Sequence, residues 1–299
     1  MKRPFEKYLT EQRNPQSRRL DSLPLASLLK LICRENASAV RAVCLESKTL
    51  QRAVEYIVEA LSRQGRLILI GAGTSGRLAV MEAAECPPTF DSPAKMVQGI
   101  MCGGRSALIR SKEGAEDAPT AGRRDLQRRR LTSLDVVLGI TASGSTPYVI
   151  GALHYARSLK AGTILLTCND RKFVPRGSAD IVIAVCTGPE IVTGSTRLKA
   201  GTATKVVLNA ITTAAMIRLG KVYDNLMVDV QVRSAKLHDR AIRIVRTLTG
   251  VSAARARDAL QNAGGNSKLA VVMIRKHVDH ATAHRLLKRA NGKLRRVIG

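Results

Sequence analysis

Two short loops of glycine and hydroxyl-bearing residues offer this chain its clearest chemistry. The first reads Gly71-Ala72-Gly73-Thr74-Ser75-Gly76 and follows the apolar run Leu67-Ile68-Leu69-Ile70; the second reads Thr141-Ala142-Ser143-Gly144-Ser145-Thr146-Pro147 and follows Val136-Val137-Leu138-Gly139-Ile140. Each precedes a segment with helical spacing, so free backbone N–H groups, the positive end of a helix and short hydroxyls converge there, a combination suited to a phosphate monoester. Small-residue loops also close strand-to-helix turns without binding anything, so either loop alone decides little. Two of them, on strands expected to be neighbours, point to one phosphorylated ligand.

Two nucleotide readings of the first loop fail. A dinucleotide site needs an acidic residue at the end of the second strand, about 20 residues past the last glycine, to hold the ribose. The second strand here reads VQGIMCGG and ends without one. A P-loop is excluded as well, because no Gly-Lys-Ser/Thr follows the glycines.

The elements that must position these loops are legible as rhythm. Strand-like runs recur at RLILIGAG (66–73), MVQGIMCGG (96–104), DVVLGITASG (135–144), GTILLTCND (162–170) and ADIVIAVCT (179–187), with helical patterns between them. That is the order of βαβ units. The near-continuous Val, Ile and Leu content suits strands covered on both faces of a parallel sheet, whose ligands collect at the carboxyl ends of the strands. Residues 22–64 read as two helices, GTATKVVLNAITTAAMIRLG as a long buried helix, and the chain from about 250 as three short amphipathic helices with Ser252, Asn266 or Ser267, and Asp279 as N-caps. The expected division is an N-terminal helical segment (1–54), a ligand-binding α/β domain (55–220), a connecting helix (221–249) and a small UBA-like helical module (250–299).

Composition narrows the class. The chain of 299 residues is 45% hydrophobic, enough for a buried core. No run of about 18 uninterrupted apolar residues occurs and MKRPFEKYLTEQRNP has no apolar signal region, so a cytoplasmic protein without membrane association is expected. Six cysteines (Cys33, Cys44, Cys86, Cys102, Cys168 and Cys186) lack CxxC spacing and read as reduced thiols. The net charge of +26, from 49 Lys and Arg against 23 Asp and Glu, would suit a nucleic-acid binder, but the excess is dispersed and only 3% of residues are aromatic. A generally basic surface that attracts a phosphorylated metabolite is the expected reading, and nucleic acid is not the expected ligand. His277, His280 and His284 have metal-like spacing, but the N-cap at Asp279 puts His277 outside the helix, and no metal site is expected.

A third cluster is more specific. Residues 188–205 read GPEIVTGSTRLKAGTATK, which resembles the signature GPExVTGSTRxKAGTAxK of the N-acetylmuramic acid 6-phosphate etherases and the related glucokinase regulatory proteins, both built on sugar isomerase (SIS) domains. TEQRNP (10–15), GAGTSGRL (71–78), AECPPTF (84–90), EGAED (113–117), TPYVIG (146–151), IRLGKVY and NLMVDV (217–230) are similar to etherase segments in the same order, and ECPPTF and EGAED favour the etherase over the regulatory branch. The resemblance implies an α/β fold, a three-layer αβα SIS-type sandwich with a parallel sheet, with a small C-terminal three-helix module and a homodimer in which neighbouring subunits complete each other's sites.

The reaction the resemblance implies removes D-lactate from N-acetylmuramic acid 6-phosphate. The C1 aldehyde of the open-chain sugar acidifies the C2 proton; a base removes it, an acid protonates the lactyl oxygen leaving C3, and water adds back at C3. Two carboxyl groups in different environments suffice, with no metal or redox cofactor. By resemblance Glu85 is the proton donor and Glu116 the second catalytic glutamate. Each has a rival three residues earlier, Glu82 and Glu113, between which the residues alone do not choose. By the same resemblance Gly73, Thr74, Ser75, Ser143, Gly144, Ser145 and Thr146 hold the phosphate and sugar hydroxyls, joined by Glu190, Ser195, Thr196 and Lys199 from the signature loop. The same Ser and Thr residues could equally cap helices, and Arg197 and Lys199 could be surface charges. Two departures stand out: Ser145 where etherases usually carry arginine, and Asp224 where glycine is common. The alternative is a non-catalytic sugar-phosphate sensor on the same fold, although retention of both glutamates favours the enzyme.

Overall fold

The computed structural model describes residues 7–230 and 235–299. The first six residues of the MKRPFE stretch, and residues 231–234 of the expected connecting helix, lie outside the described residues. The chain divides into two compact units, Met1–Ala84 with Lys95–Thr212, and Glu85–Ala94 with Thr213–Gly299.

The first unit opens with short 3-10 turns and two helices, α1 (Leu25–Leu45) and α2 (Ser47–Ser62), and then alternates strand and helix. In chain order these are β1 (Leu67–Gly71), α3 (Gly73–Phe90), β2 (Val97–Met101), α4 (Ser106–Ile109), α5 (Pro119–Arg128), β3 (Val136–Ile140), α6 (Pro147–Ser158), β4 (Gly162–Thr167), β5 (Ile181–Ala184) and α7 (Lys199–Arg218). The last turns of α3 and α7 pass into the second unit. The five strands form one parallel sheet in the order β2-β1-β3-β4-β5. Every residue of β1, β3 and β4 is buried, so their unbroken apolar runs are covered on both faces. This is the αβα sandwich expected, with both small-residue loops at the carboxyl ends of adjacent strands.

Close packing is obtained by leaving side chains out. A Cβ at Gly139 of β3 would lie 2.6 Å from Val149 Cγ1 of α6, and one at Gly99 of β2 would lie 2.5 Å from Val80 Cα of α3. Pro147 opens α6 and Pro119 opens α5, each at a first-turn position that needs no N–H partner. The opposite ends of the strands are tied by charge. Arg66 clamps Asp135 through Nε to Oδ1 at 2.9 Å and Nη2 to Oδ2 at 2.6 Å, while the Thr132 N–H donates to Oδ2 at 2.8 Å. Burial alone would raise the pKa of Asp135, but the Arg66 guanidinium and these backbone donors hold it below the usual aspartate value.

The second unit packs α8 (Ala235–Thr249), α9 (Ala253–Asn262), α10 (Ser267–Lys276), α11 (His280–Arg289) and α12 (Arg295–Ile298) around one core. Ser252, Asn266 and Asp279 accept hydrogen bonds from the first-turn N–H groups of α9, α10 and α11. Ser267 does not cap; its hydroxyl donates to the Val228 carbonyl at 2.7 Å. Of the stretch expected as a connecting helix over 221–249, Ala235–Thr249 forms α8, which buries Ala241, Ile242, Ile244 and Val245 in the same core as α9 to α11. The expected boundary at 54/55 falls inside α2. Lys268 anchors this unit: its buried ammonium donates to Asp229 at 2.8 Å and to the Gly220 and Gly292 carbonyls at 2.9 and 3.0 Å. Among the described residues no helix is long and apolar enough to cross a membrane.

Asp135→Asn leaves Arg66 without its buried anion and is expected to destabilise the protein by about 3–5 kcal/mol in urea unfolding. Folding lowers the pKa of Asp135, so its contribution is fully present above the ordinary aspartate value of about 3.9 and is lost as the pH falls through the folded value. The wild-type stability curve should therefore fall in that acid window, and the Asp135→Asn curve should fall less.

Candidate active site

The first small-residue loop is built to bring a helix onto a strand. Gly73 takes a φ of +53°, and a Cβ at Gly76 would lie 2.4 Å from the Gly71 carbonyl oxygen, so α3 starts directly against the end of β1. Arg77 then reaches past the end of β2 and donates from Nε to the Leu108 carbonyl at 3.0 Å and from Nη2 to the Ala107 carbonyl at 2.9 Å. Beneath lies a cleft of about 400 Å³, lined by Gly73, Thr74 and Arg77, by Ser111 to Glu116, and by Gly194 to Arg197. It brings together Gly73, Thr74, Glu116, Ser195 and Thr196 of the expected set, and Glu113 as well. Ser75 is half-buried and does not line it.

Glu116 sits in a 3-10 turn, Ala115–Asp117, entered through Gly114 at φ +72°. Desolvation raises its pKa above the ordinary glutamate value, and the charges of Asp117 and Glu113 add to the effect. Glu113 accepts from the Ser111 hydroxyl at 2.8 Å. The neighbouring Cys102 thiol is pushed up to about 11 by burial, then by Asp125 and Glu116, and stays protonated near neutrality. On α3, Glu82 is buried and engaged by Lys205 Nζ and the Thr212 hydroxyl, both at 2.6 Å. Glu85, one turn on, is exposed and falls in the second unit.

The second loop is largely self-bonded. Thr141 Oγ1 shares hydrogen bonds with Thr146 Oγ1 at 2.7 Å and Ser143 Oγ at 3.2 Å, and accepts from the Gly144 N–H at 3.3 Å. Ser145, in the arginine position, donates to the Tyr8 hydroxyl at 3.0 Å, and the Tyr8 ring packs on Phe173 with centroids 4.9 Å apart. Thr146 makes no capping bond to α6. Ser143, Gly144, Ser145 and Thr146 therefore form one cluster that does not line the cleft holding Thr74 and Glu116.

Glu190 and Lys199, expected to meet the ligand, face the protein instead. Glu190 is fully buried, and its carboxylate accepts from the Lys199 and Ala200 N–H groups at 2.8 and 2.9 Å, capping α7. Burial raises its pKa, and those two amides and the Lys199 charge oppose the rise. Lys199 Nζ donates to Glu35 at 2.8 Å and to the Pro189 carbonyl at 3.1 Å, and Asn14 donates to the same Glu35 oxygen at 2.8 Å. Local spacing carries no sign of Glu35, which lies on α1; Asn14 was visible only as part of TEQRNP. In the second unit, His277 closes α10 in the left-handed region and His280 opens α11, so the three histidines share no helix.

Sequence profiles of three kinds match the chain: the glucokinase regulatory protein N-terminal SIS domain over residues 49–157, the SIS domain over 110–214, and the C-terminal lid domain of glucokinase regulatory protein over 224–290. A Bacteroides fragilis structure described as a phosphosugar isomerase involved in capsule formation aligns with a TM-score of 0.50, covering 68% of this chain and 95% of that one; at 21% identity it speaks for the fold alone. The N-acetylmuramic acid 6-phosphate etherase of Rhizobium rhizogenes is 50% identical over 98% of this chain and 95% of its own length. That of Gloeobacter violaceus is 50% identical over 96% of this chain and 93% of its own. With half its residues identical across nearly the full length of both, the chain belongs to the N-acetylmuramic acid 6-phosphate etherase family.

Proposed function

We propose that the protein cleaves the D-lactyl ether of N-acetylmuramic acid 6-phosphate, giving N-acetylglucosamine 6-phosphate and D-lactate. The observation that carries this reading is 50% identity over 98% of the chain to a protein named for that activity. The regulatory alternative is not favoured, because the relatives that align over the whole chain carry the etherase name. A homodimer in the cytoplasm is part of the same proposal.

The residues supply the two carboxyl groups the chemistry needs. Glu116 takes the C2 proton of the open-chain sugar, and Glu85 protonates the lactyl oxygen as the C3–O bond breaks. Water then adds its oxygen to C3 and a proton returns to C2, so one water is consumed for each lactate released. The exposed position of Glu85, against the engaged carboxylate of Glu82, supports the choice between those two. Thr74, Ser195 and Thr196 in the cleft, and the Ser143–Thr146 loop, are assigned to the phosphate and sugar hydroxyls; Glu190 and Lys199 are positioning residues that hold the signature loop.

Glu85→Gln and Glu116→Gln should each lower lactate release about 10²–10⁴-fold while leaving the thermal melt unchanged; near-normal turnover by either removes that residue from the mechanism. In H2(18)O, label should enter the glucosamine product and not lactate. The base must be ionised, so kcat/KM should rise as the pH passes upward through the raised pKa of Glu116, and Glu113→Gln should move that limb to lower pH. A limb at the ordinary glutamate value, insensitive to Glu113, would contradict the assignment. Glu35→Gln or Lys199→Met alone should cost about 3–5 kcal/mol of stability, and the double variant less than the sum of the two, as measured by a double-mutant cycle.

A further inference from the structure

Strand β2 stands at one edge of the sheet, paired with β1 alone. The Met96 carbonyl accepts from Leu67 and the Cys102 N–H donates to Gly71, so the even-numbered residues of this stretch turn their peptide groups toward β1. Alternation in a parallel ladder turns those of Val97, Gly99 and Met101 outward. The Met101 carbonyl is taken by the Gly104 N–H at 3.0 Å; the Met101 N–H and both groups of Val97 and Gly99 have no backbone partner among the described residues.

This edge is the floor of a cleft of about 620 Å³ walled by α3, α4 and α5, with Val80, Leu108 and Met101 supplying apolar surface and Arg105, Arg128 and Arg129 the rim. Asp125 is the one carboxylate in the lining, and it already accepts from the Tyr148 hydroxyl at 2.7 Å and from Arg128 at 3.3 Å. Among the described residues the Arg129 guanidinium donates to the Gln98 side chain alone, at 3.3 Å, and Arg105 has no ion-pair partner. The cleft therefore offers an unpaired strand edge, room beside it and an excess of guanidinium charge.

We propose that this edge docks an extended acidic segment of another protein, which adds as a strand beside β2 with its carboxylates on the three arginines. Strand addition uses the outward N–H and C=O groups, and the apolar floor accepts alternate side chains. A small anion would meet the guanidiniums but leave the strand edge unpaired, and a nucleic acid lacks the alternating donors and acceptors that match it. A second copy at this edge would set one arginine rim against another. The same rim keeps a bare edge from pairing with itself.

The test uses the full chain at about 0.15 M salt, where long-range attraction is screened, and a fluorescein-labelled peptide of alternating Glu and Val or Thr. The peptide should bind saturably. N-methylation of its alternate amides, and the triple variant Arg105→Ala/Arg128→Ala/Arg129→Ala, should each weaken binding at least tenfold, with lactate release by the variant unchanged. Hydrogen exchange at the Val97, Gly99 and Met101 amides should slow on binding, while Gln98 and Ile100 stay as protected as before. Should the triple variant melt early, Arg105→Ala alone is expected to weaken binding measurably. The proposal is overturned by absent binding or by equal binding of the N-methylated peptide, which would mean charge alone. Stronger competition by a single-stranded oligonucleotide overturns it too, as does protection of the edge amides by concentration-dependent self-association without peptide.

Discussion

A carboxylate without access to water fixes where much of the cleft can be. Glu190 is fully buried, and its oxygens accept from the first two N–H groups of α7, which have no partner within their own helix. Pinning a helix start to a residue nine positions earlier closes the signature loop on itself, so Ser195 and Thr196 turn into the cleft while Lys199 turns away from it. The Lys199 ammonium then crosses to Glu35 on α1, and Asn14 fills a second acceptor site on the same oxygen. A buried pair of this kind adds little net stability, yet it is costly to break from one side, and that asymmetry keeps the loop in one place.

The opposite wall of the cleft depends on the absence of side chains. Gly76 and Gly99 let α3 descend onto β1 and β2, and only at that separation can Arg77 reach the Ala107 and Leu108 carbonyls that hold the segment leading to Glu116. Arg66 does comparable work at the far end of the strands, where it also donates to the Arg129 and Arg130 carbonyls at 3.0 and 2.9 Å. Part of the large positive charge is therefore internal bracing, which composition alone presents as a surface property.

Period and punctuation made the sheet legible: five apolar runs at βαβ spacing became five parallel strands, with DVVLGITASG forming β3 over Val136–Ile140. The caps at Ser252 and Asp279 were legible for the same reason, since a cap acts within three residues. What escaped was everything set by distant partners. Nothing near Lys199 in sequence announces Glu35, 164 positions away, and nothing near Ser145 announces Tyr8, 137 positions away. Hydroxyl and charged residues in a signature read as ligands by default, and only their partners distinguish a contact with substrate from a brace. Glu82 and Glu85 make the same point: equal in type and one turn apart, they differ because Lys205 and Thr212 occupy one of them.

The electrostatics of the cleft follow from these braces. Its lining carries Arg77, Lys112 and Arg197 against Glu113 and Glu116, three positive charges to two negative, a balance of +1. Arg77 is fixed by two carbonyls and Lys112 by the Gly103 carbonyl at 3.1 Å, so neither is free to follow a ligand. Two of the three cations are thus built into the wall, and the surplus charge is that of the exposed Arg197. The same wall desolvates Glu116 and sets it beside Asp117 and Glu113, which raises its affinity for a proton. A lining with net positive charge and a carboxylate with raised affinity for a proton are therefore two results of one arrangement.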